Sequence, residues 1–128
     1  MRSYSLFGRI DELDTINTPE LLREYLLDVG SDEEESQALR NFDEFCLVYQ
    51  PLGLSGQFTV KGIEGNMEED EEYVDFPLTV TPGMTVFNIM EAAWTETERV
   101  AWPDVNHVWF EGLDIDEENR VLQFSMGS

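Results

Sequence analysis

Apolar and polar positions alternate in some stretches of the chain and recur at helical spacing in others. Ser3–Ile10 sets Tyr4, Leu6 and Ile10 on one side and reads as an opening strand. Thr18-Pro19-Glu20 is a helix start, with a hydroxyl N-cap followed by proline at the first helical position, where its missing N–H costs nothing. Leu21, Leu22, Tyr25, Leu26 and Val29 continue as one apolar stripe, and Gly30 supplies a stop. Ser31 opens a second predicted helix, with Glu34 as capping-box partner and Asp32 and Glu33 where the helix dipole favours anions.

From Asp43 the period becomes two: Phe45, Leu47 and Tyr49 share a face and predict a strand. The turn Pro51–Gly56 leads into a further strand through Phe58, Val60 and Gly62, and a very acidic link runs from Glu64 to Glu72. Val74, Phe76, Leu78 and Val80 alternate again, with Pro77 on the opposite face at an expected edge position. After the turn Thr81-Pro82-Gly83, Thr85 caps a third helix that turns Val86, Ile89, Met90 and Ala93 inward. His107–Ile115 and Arg120–Met126 form a predicted hairpin across Asp116-Glu117-Glu118-Asn119. The expected fold is α+β in the order β-αα-βββ-α-ββ. It has a mainly antiparallel sheet of five to six strands and about three helices on one face, in a single acidic domain over residues 1–128.

Composition narrows the function more than it narrows the fold. Of 128 residues, 41% are hydrophobic and 12% aromatic, enough to build a core and unlike a disordered acidic tail. Against this, 28 Asp and Glu face 7 Lys and Arg, a net charge of −21, and Lys61 is the only lysine. His107 is the single histidine and Cys46 the single cysteine, so neither a histidine pair nor an internal disulfide can form. Asp11, Glu12 and Asp14 interrupt any signal-like apolar run in Met1–Glu20, and no stretch reaches the roughly 18 to 20 apolar residues that span a bilayer. Anionic headgroups repel such a chain as well, so the expectation is a cytoplasmic protein with no membrane contact.

The acids cluster. Asp32, Glu33, Glu34 and Glu35 follow Asp28; Glu64, Glu68, Glu69, Asp70, Glu71, Glu72 and Asp75 form a second patch; Asp114, Asp116, Glu117 and Glu118 follow Glu111 in a third. Cations are nearly absent from these patches, so the i,i+4 ion pairs of an ordinary solvated helix are not available, and the crowding costs stability through self-repulsion. A compact domain of this length has a radius of gyration of about 14 Å and a diameter of roughly 36 Å. Duplex DNA carries one charge per roughly 1.7 Å of axis, about 21 over that span. The two loads match in order of magnitude, so the particle can satisfy the Lys and Arg of a basic nucleic-acid groove.

In size, charge and lysine depletion the chain resembles the phage-encoded DNA-mimic proteins, such as antirestriction and anti-CRISPR inhibitors. The likeness covers the whole chain and aligns no motif, so it carries no residue-by-residue roles. It implies a non-enzymatic inhibitor that occupies the basic groove of a restriction or CRISPR-type nuclease and itself binds no nucleic acid, with a homodimer possible because symmetric association is common. The alternative is an immunity protein neutralising a basic nuclease toxin. Halophilic adaptation fits less well, because the chain keeps eight Phe and three Trp.

Other chemistries find little support. Asp114-Ile115-Asp116-Glu117-Glu118 begins like a calcium loop, but Asn119 and Ser125 stand where glycine and glutamate are required, so a hairpin turn is expected and no metal or other cofactor. No nucleophile is evident for His107, which reads as a structural or surface histidine. Cys46, between Phe45 and Leu47, reads as a buried inert thiol. Trp102, before Pro103, is the expected exposed anchor within the anionic surface.

Overall fold

The computed structural model describes residues 1–29, 41–64, 73–102, 105 and 107–127. Strand β1 (Arg2–Ser5) is followed by a 3-10 turn (Leu13–Ile16) and helix α1 (Pro19–Val29). A short helix α2 (Phe42–Phe45) runs into a second 3-10 turn (Cys46–Tyr49). Then come β2 (Gly56–Glu64), β3 (Tyr73–Val80), helix α3 (Val86–Val100), β4 (Trp109–Asp116) and β5 (Val121–Gly127). The five strands form one sheet in the order β1-β4-β5-β2-β3. Neighbours are antiparallel except β5 and β2, which run parallel with Val60 opposite Leu122. The class is α+β with a mostly antiparallel sheet, as the hydrophobic pattern predicts.

The helix starts follow local chemistry. The Leu21 amide donates to Thr18 Oγ1 at 3.2 Å, so the threonine caps α1. At α3 the Asn88 amide donates to Thr85 Oγ1 and the Thr85 amide to Asn88 Oδ1, a reciprocal box that satisfies two otherwise orphaned donors. Helix α3 continues to Val100, beyond the apolar stripe that announces it, and Thr97 is buried there with its hydroxyl donating to the Ala93 carbonyl.

The sheet is amphipathic. Phe58, Val60, Ile63, Phe76, Val80, Leu113, Ile115, Leu122 and Phe124 are buried on one face, in one cluster with Leu22 and Leu26 of α1 and Val86, Ile89, Met90 and Ala93 of α3. Thr59, Lys61, Asp75, Pro77, Asp114, Gln123 and Ser125 alternate with them on the other face and stay at least partly exposed. Leu21, placed in the inward stripe of α1 by its spacing, is exposed instead.

Two elements differ from the pattern-based expectation. The strand expected at Phe45, Leu47 and Tyr49 is helical, because a three-residue spacing outweighs the two-residue one. Phe42, Phe45, Val48 and Tyr49 meet the core, Leu47 faces outward, and the Tyr49 hydroxyl donates to the Ile16 carbonyl. The opening strand ends at Ser5, not Ile10, since Gly8 has φ +142° and a side chain there would strike Ile16. The pairing resumes only as a bridge between Arg9 and Trp109. Pro77 does lie on an edge strand, β3. The helix expected from Ser31 falls outside the described residues.

Candidate interaction surface

The β4–β5 hairpin holds two of its carboxylates, Asp114 and Asp116, by hydrogen bonds. Asp116 accepts from the Asn119 side chain at 2.8 Å and from the Asn119 amide at 3.1 Å, which closes the turn. Those hydrogen bonds, side chain first, hold the Asp116 carboxyl below the usual carboxylate range. Asp114 accepts from Ser3 Oγ at 2.7 Å across the β1–β4 pairing. Two residues apart on one strand, Asp114 and Asp116 lie about 6.8 Å from each other on the open face. Glu117 and Glu118 are exposed in the turn beyond them. The two guanidiniums nearby are engaged. Arg2 sits 3.6 Å from Glu117 and donates to the Leu52 carbonyl, while Arg120 donates to the Ser55 carbonyl and lies over the Phe58 ring at 5.0 Å.

On the strand beside β5, toward the β3 edge of the sheet, β2 bulges at Lys61 and Gly62, between the pairs Val60–Phe76 and Ile63–Val74. Gly62 takes φ +91°, and a Cβ there would run into the Phe124 carbonyl oxygen of the neighbouring strand, so only glycine fits. The bulge opens a cleft of about 490 Å³ lined by Tyr73, Asp75, Lys61, His107, Gln123 and Ser125 among others. Lys61 Nζ and Asp75 are 3.9 Å apart, a loose pair with both side chains about half exposed. Lys61 faces Gln123 across the parallel pairing, and Gln123 faces Asp114 across the next, so one polar row crosses the sheet from Asp75 to Ser3.

Of the residues singled out in the sequence, Asp75, Asp114, Asp116, Glu117 and Glu118 are at the surface of this sheet. The structure does not gather them into one patch. Asp75 is three strands from Asp114, about 14 Å away. Glu64 ends β2 opposite Tyr73. Asp32, Glu33, Glu34, Glu35, Glu68, Glu69, Asp70, Glu71 and Glu72 lie outside the described residues. Trp102 is not the exposed anchor expected of it: half-buried, it packs edge-on against Trp94 at 5.1 Å and joins the core. Packing against a second aromatic ring covers part of the indole and leaves less of it for a partner than a fully exposed anchor offers. Cys46 is half-buried rather than enclosed, and desolvation, with Asp43 and Glu20 nearby, raises its thiol pKa and so favours the protonated thiol.

Four ion pairs occur among the described residues: Arg9 with Asp11, Arg2 with Glu117, Lys61 with Asp75, and Arg99 with Glu96. Each uses a different acid, so most of the described carboxylates meet no cation. Among the described residues no group of three His, Cys, Asp or Glu could hold a metal ion, and no helix is long and apolar enough to cross a membrane. The cleft escaped the sequence reading. Its only signals there were a glycine inside an alternating run and the single lysine beside it. The chain matches no family model, no curated protein and no solved structure.

Proposed function

We propose that the protein is a non-enzymatic mimic of nucleic acid that blocks a basic nucleic-acid-binding enzyme by occupying its groove. The partner class is a restriction or CRISPR-type nuclease, met in the cytoplasm. The observation that carries this reading is the β4–β5 hairpin, where Asp114 and Asp116 are pinned by hydrogen bonds and Glu117 and Glu118 stand beside them. Anions fixed before binding lose little conformational freedom on meeting a partner's guanidiniums. The whole-chain field adds to this. A sphere of roughly 18 Å radius carrying the net charge of −21, in salt with a Debye length of about 8 Å, stabilises a unit cation at its surface by about 1.5 kcal/mol. Such a field steers a basic cleft toward the chain and speeds association.

The test is competition. Purified protein added to restriction and CRISPR-type nucleases should displace duplex DNA, with affinity falling steeply as salt rises. Converting Asp114, Asp116, Glu117 and Glu118 together to their amides should weaken inhibition at least tenfold while the fold persists. Displacement that is indifferent to salt, or to that fourfold change, would overturn the reading.

A further inference from the structure

The cleft at the β2 bulge presents chemistry that the hairpin acids do not. Tyr73 is the most exposed aromatic side chain among the described residues, at 59% of its free surface. Asp75 follows two residues later on the same outward side of β3, and Gln123 and Ser125 add polar groups from β5. Lys61 and His107 also line the cleft.

Charge decides which ligand class suits this arrangement. Lys61 and Asp75 offset each other locally, which leaves the field of the whole chain to act on an incoming ion. At physiological salt that field disfavours a monoanion and favours a monocation, each by roughly tenfold. A phosphate or carboxylate ligand is therefore opposed despite the several donors. A monocation gains from the field and finds an acceptor in Asp75, whose lysine partner is loosely held and half exposed and can swing aside. The exposed Tyr73 ring selects a planar cation, because guanidinium stacks on an aromatic face while presenting its fork to a carboxylate, and an ammonium cannot do both.

We infer that this cleft receives an arginine side chain of the protein partner, with the guanidinium on Tyr73 and its N–H groups donating to Asp75. The inference rests on the mimic reading for the identity of the partner. It adds a site where the chain tells arginine from lysine, which fixed carboxylates alone do not.

The probes are the blocked tripeptides acetyl-Gly-Arg-Gly-amide and acetyl-Gly-Lys-Gly-amide, titrated at low salt and followed by the NMR shifts of the Tyr73 ring and the Gln123 and Ser125 amides. The arginine peptide should saturate these signals at least threefold more tightly than the lysine peptide. Tyr73→Leu should abolish that preference and Tyr73→Phe keep it. Asp75→Asn should weaken arginine binding about threefold, and Lys61→Met should strengthen it. Thermal unfolding of each variant confirms that the fold is intact. Equal affinities for the two peptides, or a preference that survives Tyr73→Leu, would overturn the inference. Neither outcome touches the mimic reading, which stands or falls on competition with duplex DNA and needs no arginine selectivity.

Discussion

The two hairpins of the sheet meet their ends in opposite ways. β4–β5 closes through Asp116 and Asn119, a turn in which the Asp116 carboxylate accepts from the Asn119 backbone and side chain and is fixed as a result. β2–β3 departs from regular pairing at Gly62, and the space so made collects Lys61, His107 and the exposed Tyr73. One end gathers carboxylates beside two guanidiniums, Arg2 and Arg120, that are already engaged. The other mixes charge signs around a cleft, though both belong to a chain of net charge −21. Net charge sets the long-range field, but local backbone geometry decides what a partner meets on contact.

That contrast can be broken most forcefully at the bulge. Gly62→Ala adds a Cβ against the Phe124 carbonyl at φ +91° and should destabilise the fold by about 3 kcal/mol or more. Gly53→Ala is its control. There φ is also positive, at +70°, but no atom lies within 4 Å of the added carbon, so a loss of only about 1 kcal/mol is expected. Urea unfolding of the pair separates collision from backbone preference.

At the other hairpin the expected effects are smaller. Asn119→Ala removes the side-chain hydrogen bond to Asp116, keeps the one from the backbone amide, and should lower stability at neutral pH by less than Gly53→Ala does. The folded Asp116 carboxyl titrates below its unfolded value of about 3.9, so its contribution is complete above that pH and is lost as pH falls through the folded pKa. The gap between wild type and variant should accordingly narrow in acid. In an NMR titration of the side-chain carboxyl carbon, Asp116 should move up toward the ordinary carboxylate range in Asn119→Ala. The smallest effect belongs to Lys61→Met. A half-exposed pair at 3.9 Å adds little, and stability should change by less than about 0.5 kcal/mol in thermal unfolding.

What could be read from the sequence divides along the same line of local against distant causes. The caps at Thr18 and Thr85 and the turn at Asp116–Asn119 were legible because the side chains that make them bond to backbone within three residues. The alternation in β2 and β3 was legible because one sheet face is buried. Residues 45–49 misled because their two-residue pattern also fits the three-residue spacing of Phe42, Phe45 and Val48, and only packing decides between the two. The parallel contact of β5 with β2 leaves no mark in either strand. With that contact hidden, so was the cleft, whose walls come from β2, β3 and β5. Trp102 looked available because a proline follows it, whereas its place was set by Trp94, eight positions earlier on α3.

Pro77 closes a route that open sheets otherwise leave to their neighbours. On the outer strand β3, a pyrrolidine ring stands in mid-strand where a further chain would seek an amide to bond. A second copy that tried to lengthen the ladder along that border would lose a backbone hydrogen bond at its middle.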